Sequence, residues 1–170
     1  MDLSDLFAAL GRAHLGAALA PVRRPPGWWD ARVPTLFPEL NSGVLLLRRS
    51  VRQRLLVSRW LRLYDALAAS CNQAWDQASL RSVVWQLQRY LGLRLTHLPP
   101  EANLRTPKPW VAGEGLLVHV VHGRVPEAEW PALLTYLNGN VQRFRSWAEW
   151  QRLYPHSGVR LKLPPDPLGL

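Results

Sequence analysis

Three short stretches of the chain carry side chains suited to ligand chemistry. Asn41-Ser42-Gly43 sets an amide, a hydroxyl and a glycine against the apolar run Val44-Leu45-Leu46-Leu47. The amide donates and accepts, and glycine lets a backbone approach a ligand closely. The same tripeptide also suits a plain turn into a strand. Asp76-Gln77 stands where a helix begins. A carboxylate there can hold hydroxyl groups or stabilise positive charge at a reacting carbon, or it can simply cap the helix. His119 and His122 are three residues apart in the run 116–122. On a strand they point to opposite faces, so one can be a ligand while the other packs in the core. Arg124 follows and can contact a phosphate. Trp28-Trp29 and Trp110 lie in loops, where indole rings stack on a ligand or close the edge of a core.

The elements that position these residues follow from periodicity. Ser4 is expected to cap a short helix through Leu10, and His14 to Leu19 reads as a strand. Residues 21–38 form a loop rich in Pro, Arg and Trp. Val44 to Leu47 suits a buried strand. Ser50 caps a long helix with Leu56, Trp60, Leu63 and Leu67 on one face. A second helix runs from Asp76 to about Tyr90, with Leu80, Val83, Val84, Leu87 and Leu91 as its core stripe. Leu93 to Leu98 and Leu116 to His122 read as strands, and Glu127 to Leu137 and Ser146 to Leu153 as helices. Strands and helices mix without an internal repeat, which places the chain in the α/β or α+β class. One domain is expected over residues 1–163, with a loose, proline-bearing tail at 164–170.

Composition narrows the classes. The chain has 170 residues, 48% of them hydrophobic, enough for a real core. Cys71 is the single cysteine, which excludes an intrachain disulfide framework or a cysteine-based zinc site and fits a reducing compartment. The net charge is +9, and 19 of the 21 basic residues are arginine. Such a surplus suits nucleic acid, an anionic membrane surface or phosphorylated ligands alike. No apolar run reaches the roughly 18 residues of a membrane span. A cytosolic, soluble protein is expected.

Taken in order, several of these motifs resemble the GT-A-type glycosyltransferases related to glycogenin and to bacterial sugar transferases. Leu40-Asn41-Ser42-Gly43-Val44 resembles their strand-entry motif, and Trp75-Asp76-Gln77-Ala78 their acidic helix start. Leu98-Pro99-Pro100-Glu101-Ala102-Asn103 is similar to a Leu-Pro then Asn loop, and Val118 to Arg124 to a late strand ending in histidine. The opening Asp2 to Phe7 resembles the segment after the family's Asp-x-Asp metal motif.

The resemblance implies a partial GT-A-like (Rossmann-like) α/β fold: a mixed sheet flanked by helices, without the N-terminal nucleotide-binding half. It implies sugar transfer from a nucleotide-diphosphate donor to an acceptor. Asn41, Ser42, Gly43 and Arg124 would bind substrate, and Asp76 and Gln77 would be catalytic. His122, with His119 as runner-up, would ligate the Mn²⁺ or Mg²⁺ of the complete enzyme. No two aspartates flank a single residue in this chain. The expectation is therefore a fragment, a late start or a remnant. Alone it would be inactive and metal-free, would need a missing half and would admit peripheral membrane contact. Two alternatives stand beside it: a non-catalytic or complementing domain, and a basic nucleic-acid-binding module. Only charge supports the second, so nucleic acid is not favoured as a partner.

Overall fold

The computed structural model describes residues 3–20, 27–105, 115–123, 125–139 and 152. The chain divides into two compact units, Met1–Pro99 and Pro100–Leu170. It is a mixed α/β protein with small sheets and helices. No helix among the described residues is long and apolar enough to cross a membrane.

In the first unit, helix α1 (Ser4–Leu10) buries Leu6 and Leu10, one turn apart, and Gly11 ends it at a positive φ of 52°. Ser4 is its first residue rather than its cap; Leu3 holds the cap position without a side-chain bond. Strands β1 (Leu15–Leu19), β2 (Leu40–Leu47) and β3 (Leu95–Leu98) form one sheet in the order β2-β1-β3. The β1–β2 pairing is antiparallel and the β1–β3 pairing parallel, so the sheet is mixed. β1 is central, and its first four residues are buried. Leu15 and Ala17 face the core beneath the two long helices. Gly16 points the other way, where an added Cβ would lie 3.2 Å from Leu10 of α1 and 3.3 Å from Leu46. The glycine is what lets α1 approach the sheet.

Helices α2 (Val51–Cys71) and α3 (Gln77–Leu91) cover the opposite face. The Ser50 hydroxyl accepts a hydrogen bond from the Gln53 N–H and caps α2, as expected. Leu56 of α2 meets Leu80, Val83, Val84 and Leu87 of α3 in the main core, with Trp60 and Leu63 packed against it. Asn72 and Gly92 end the two helices in the left-handed conformation, each donating its N–H to a carbonyl of the last turn. Leu91 departs from the expected stripe: it is 40% exposed.

Two expectations about strands are corrected. The apolar run Val44–Leu47 belongs to a longer strand that begins at Leu40, so Asn41, Ser42 and Gly43 lie within it rather than ahead of it. The strand sits at the sheet edge, and Val44 and Leu45 are only partly buried. The run 116–122 shrinks to β5 (Val121–His122). It pairs with β4 (Leu104–Arg105) in a separate two-stranded parallel sheet of the second unit. The reason is local. The Asn138 side chain accepts from the Val118 N–H at 2.8 Å and donates to the Val118 carbonyl at 3.0 Å, replacing a strand neighbour. Asn138 ends helix α4 (Trp130–Asn138), which contributes Leu133, Tyr136 and Leu137 to a small core with Leu104 and Val118. The helix expected at 146–153 and the tail at 164–170 lie outside the described residues, apart from Arg152.

Candidate functional site

The expected site residues of the first unit do meet. The Ser42 hydroxyl donates to the Asp76 carboxylate at 2.9 Å across 34 residues of sequence. Asp76 therefore spends its side chain on Ser42 and makes no cap bond to α3. Its carbonyl accepts from the Trp60 indole and the Ser79 hydroxyl. Asn41 is buried, and its side-chain oxygen accepts from the Gly43 N–H. Gln77 is buried at the start of α3. The Ser42–Asp76 bond ties the β2 edge to the start of α3, while the Asn41 bond stays within β2. His119 and His122 belong to the second unit, both partly buried. Arg124 and Trp110 lie outside the described residues. Among the described residues, no three His, Cys, Asp or Glu side chains cluster to hold a metal ion.

Trp28 and Trp29 act as edge-closing residues. The Trp28 N–H donates to Gln73, and the Trp29 ring lies 4.0 Å from the Arg81 guanidinium. Arg81 is 1% exposed and was not legible as a site residue, because it sits inside the apolar stripe of α3. Its guanidinium donates to the carbonyls of Pro34 and Phe37, pinning the loop 27–38 to the helix. Glu39 stands 3.6 Å away, beyond hydrogen-bond reach, and neither carboxylate oxygen finds a hydrogen-bond donor. Burial pushes the Glu39 carboxyl up to about 7, against the pull of Arg81 and with a push from Asp76. Asp30 behaves oppositely. Arg32 holds its carboxylate at about 2, and Ser82 donates to it as well.

A second group was missed for a different reason. Arg48, Arg52 and Arg94 are distant in sequence, yet all three lie close enough to act on the buried imidazole of His14. Burial first, then these three charges, lower the His14 pKa. Its Nδ1 accepts from the Arg94 N–H at 2.9 Å, as a neutral imidazole does. Each arginine side chain is exposed, and none is paired with a carboxylate among the described residues. Backbone carbonyls hold two of them: Arg48 donates to Ala13 and Gly11, and Arg52 to Leu91 at 2.7 Å. The guanidinium groups of Arg48 and Arg52 are thus fixed in place with their charge uncompensated. Arg54, Arg59 and Arg62 continue the exposed basic surface along α2. The only sequence signal was the doublet Arg48-Arg49.

The cluster reaches the C-terminal end of α3, and that end carries an aromatic cleft. Arg52 binds the carbonyl of Leu91, next to Tyr90. Asp30, Arg32, Pro34, Trp85, Gln86, Arg89 and Tyr90 line a cleft of about 540 Å³, in which the Asp30 carboxylate is paired with Arg32 at 2.9 Å. The Arg89 guanidinium lies 5.6 Å from the Tyr90 ring and 6.0 Å from the Trp85 ring.

No family model matches the chain, and no solved structure matches it. Over 108 residues the chain is 29% identical to an uncharacterized HTH-type transcriptional regulator, BphR, of Paraburkholderia xenovorans (strain LB400). The match takes in 61% of this chain and 43% of the regulator, so it spans less than half of that protein. This similarity corrects the expectation of sugar transfer. It also corrects the partners that went with it, the nucleotide-sugar donor and its acceptor, and the expectation that nucleic acid is not favoured.

Proposed function

We propose that this chain is a nucleic-acid-contacting part of a transcriptional regulator. Its contact would run through phosphate groups at the N-terminal end of α2. The observation that carries this reading is the convergence of Arg48, Arg52 and Arg94 around His14 without a neutralising carboxylate. Guanidinium groups held by backbone carbonyls present donors to phosphate oxygens at little further ordering cost. The relative described as a transcriptional regulator supports the same direction.

The contact differs from a helix laid in a groove. In a helix-turn-helix pair the second helix must offer its side chains to base edges. Here the second helix of the pair, α3, is buried from Gln77 through Val84 on all sides. The proposed contact is therefore to the backbone, and sequence-independent. A GT-A-like ancestry of the fold is a proposal of its own. It rests on the resemblance at residues 40–44 and 75–78 and concerns architecture alone.

The test is affinity for a short duplex as a function of salt. Log affinity should fall linearly with log salt, and Arg52→Ala with Arg94→Ala should flatten the slope by about 1.8, at about 0.9 per phosphate. Absence of duplex and single-strand binding at low salt would reject the reading.

A further inference from the structure

We infer that the cleft formed by Trp85, Arg89 and Tyr90 holds an unstacked base, which makes single-stranded nucleic acid the ligand of the adjoining basic surface. The inference rests on the nucleic-acid reading and deepens it.

Four observations support this. Tyr90 is 71% exposed, so a large aromatic face is left in water at the cleft wall. Trp85 is partly buried, and an edge-on contact with Phe37 at 5.2 Å and 61° fixes its ring. A fixed ring stacks on a base with little loss of side-chain entropy. Arg89 lies within cation–π range of both rings, where its guanidinium can contact base or phosphate. Finally, Arg52 binds the carbonyl of Leu91, the residue after Tyr90, so the arginine cluster reaches the end of α3 that carries Tyr90. A strand whose phosphates run over Arg52 and Arg94 would bring a base to the cleft.

The volume agrees. About 540 Å³ lies within the size range of small-ligand sites, which runs from roughly 300 to 1,000 Å³. Gln86 also lines the cleft. Its amide nitrogen donates to Ser82, which leaves the amide oxygen to accept from a base edge. A duplex cannot use this site, since its bases are stacked and paired.

The experiment compares a deoxythymidine oligomer of about 12 nucleotides, within the span of single-strand sites, with a duplex of the same length. Fluorescence anisotropy is read on the full chain and on Tyr90→Ala, Tyr90→Phe and Arg89→Ala. Tyr90 is exposed, so its removal leaves the fold intact. Tyr90→Ala should weaken the oligomer about 5- to 100-fold and leave the duplex unchanged. Tyr90→Phe should retain the oligomer affinity, because it keeps the ring. Arg89→Ala should flatten the single-strand salt slope by about 0.7. If Tyr90→Ala leaves the oligomer affinity unchanged, or weakens duplex equally, the cleft is not a base site, although the arginine surface stands. If neither nucleic acid binds, both readings fall.

Discussion

Helices α2 and α3 are consecutive and pack against each other, yet the arginines of α2 and Arg81 of α3 are used in opposite ways. α2 leaves Arg52, Arg54, Arg59 and Arg62 in solvent, with no carboxylate partner among the described residues. α3 buries Arg81 at 1% exposure against two carbonyls, an indole ring and a carboxylate. In solvent a guanidinium adds little to stability and keeps its charge for a ligand. In the interior it must be satisfied locally, and it then holds structure together. The difference shows that +9 net charge is no single property. It divides between a surface available to polyanions and a buried cross-link that is not.

The contrast breaks most sharply at Arg81. Arg81→Ala should cost about 3–5 kcal/mol in urea unfolding, because it strands the Pro34 and Phe37 carbonyls and leaves Glu39 without its counter-charge. A loss below about 1 kcal/mol would show that the loop 27–38 is held by other means.

Glu39→Gln should act in the other direction and only above acidic pH. The folded carboxyl titrates at about 7, above its ordinary 4.5. Its contribution is therefore complete below pH 4.5 and is lost as pH rises through 7. Glutamine removes that loss, so the variant should exceed the parent by about 1–3 kcal/mol at pH 8 and match it near pH 4. A variant less stable than the parent at pH 8 would instead place Glu39 as a settled ion pair with Arg81.

The helix caps give a smaller effect. Ser50→Ala should cost about 1 kcal/mol, since the hydroxyl accepts from Gln53. Smallest of all is the exposed face. Arg59→Ala and Arg62→Ala should each shift stability by less than about 0.5 kcal/mol in thermal unfolding. A larger loss would mean that α2's arginines are structural too, and the division between the helices would collapse.

How far the sequence was legible differs between these features. Ser50 and Asp76 both looked like helix caps, and only Ser50 is one. A cap bond is local, but Asp76 had a stronger partner in Ser42, 34 residues earlier in the chain. The stripe Leu80-Val83-Val84-Leu87 was visible from its spacing, whereas Arg81 beside it gave no sign of being buried. The strand at 116–122 looked sound by β-propensity, yet the Asn138 amide occupies both hydrogen-bonding groups of Val118. The arginine cluster was invisible because its members come from positions 48, 52 and 94.

The sequence by itself determined the order of helices and strands from Ser4 to Leu98, the two long helices with their apolar stripes, the cap at Ser50 and the excess of positive charge. These depend on periodicity and on contacts within a few residues, which the chain carries locally. Tertiary structure alone decided which arginines are buried, which carboxyl is held near neutrality and which charges meet around His14. Those outcomes depend on desolvation and on distances between residues far apart in the chain, and neither quantity is written in any local stretch of sequence.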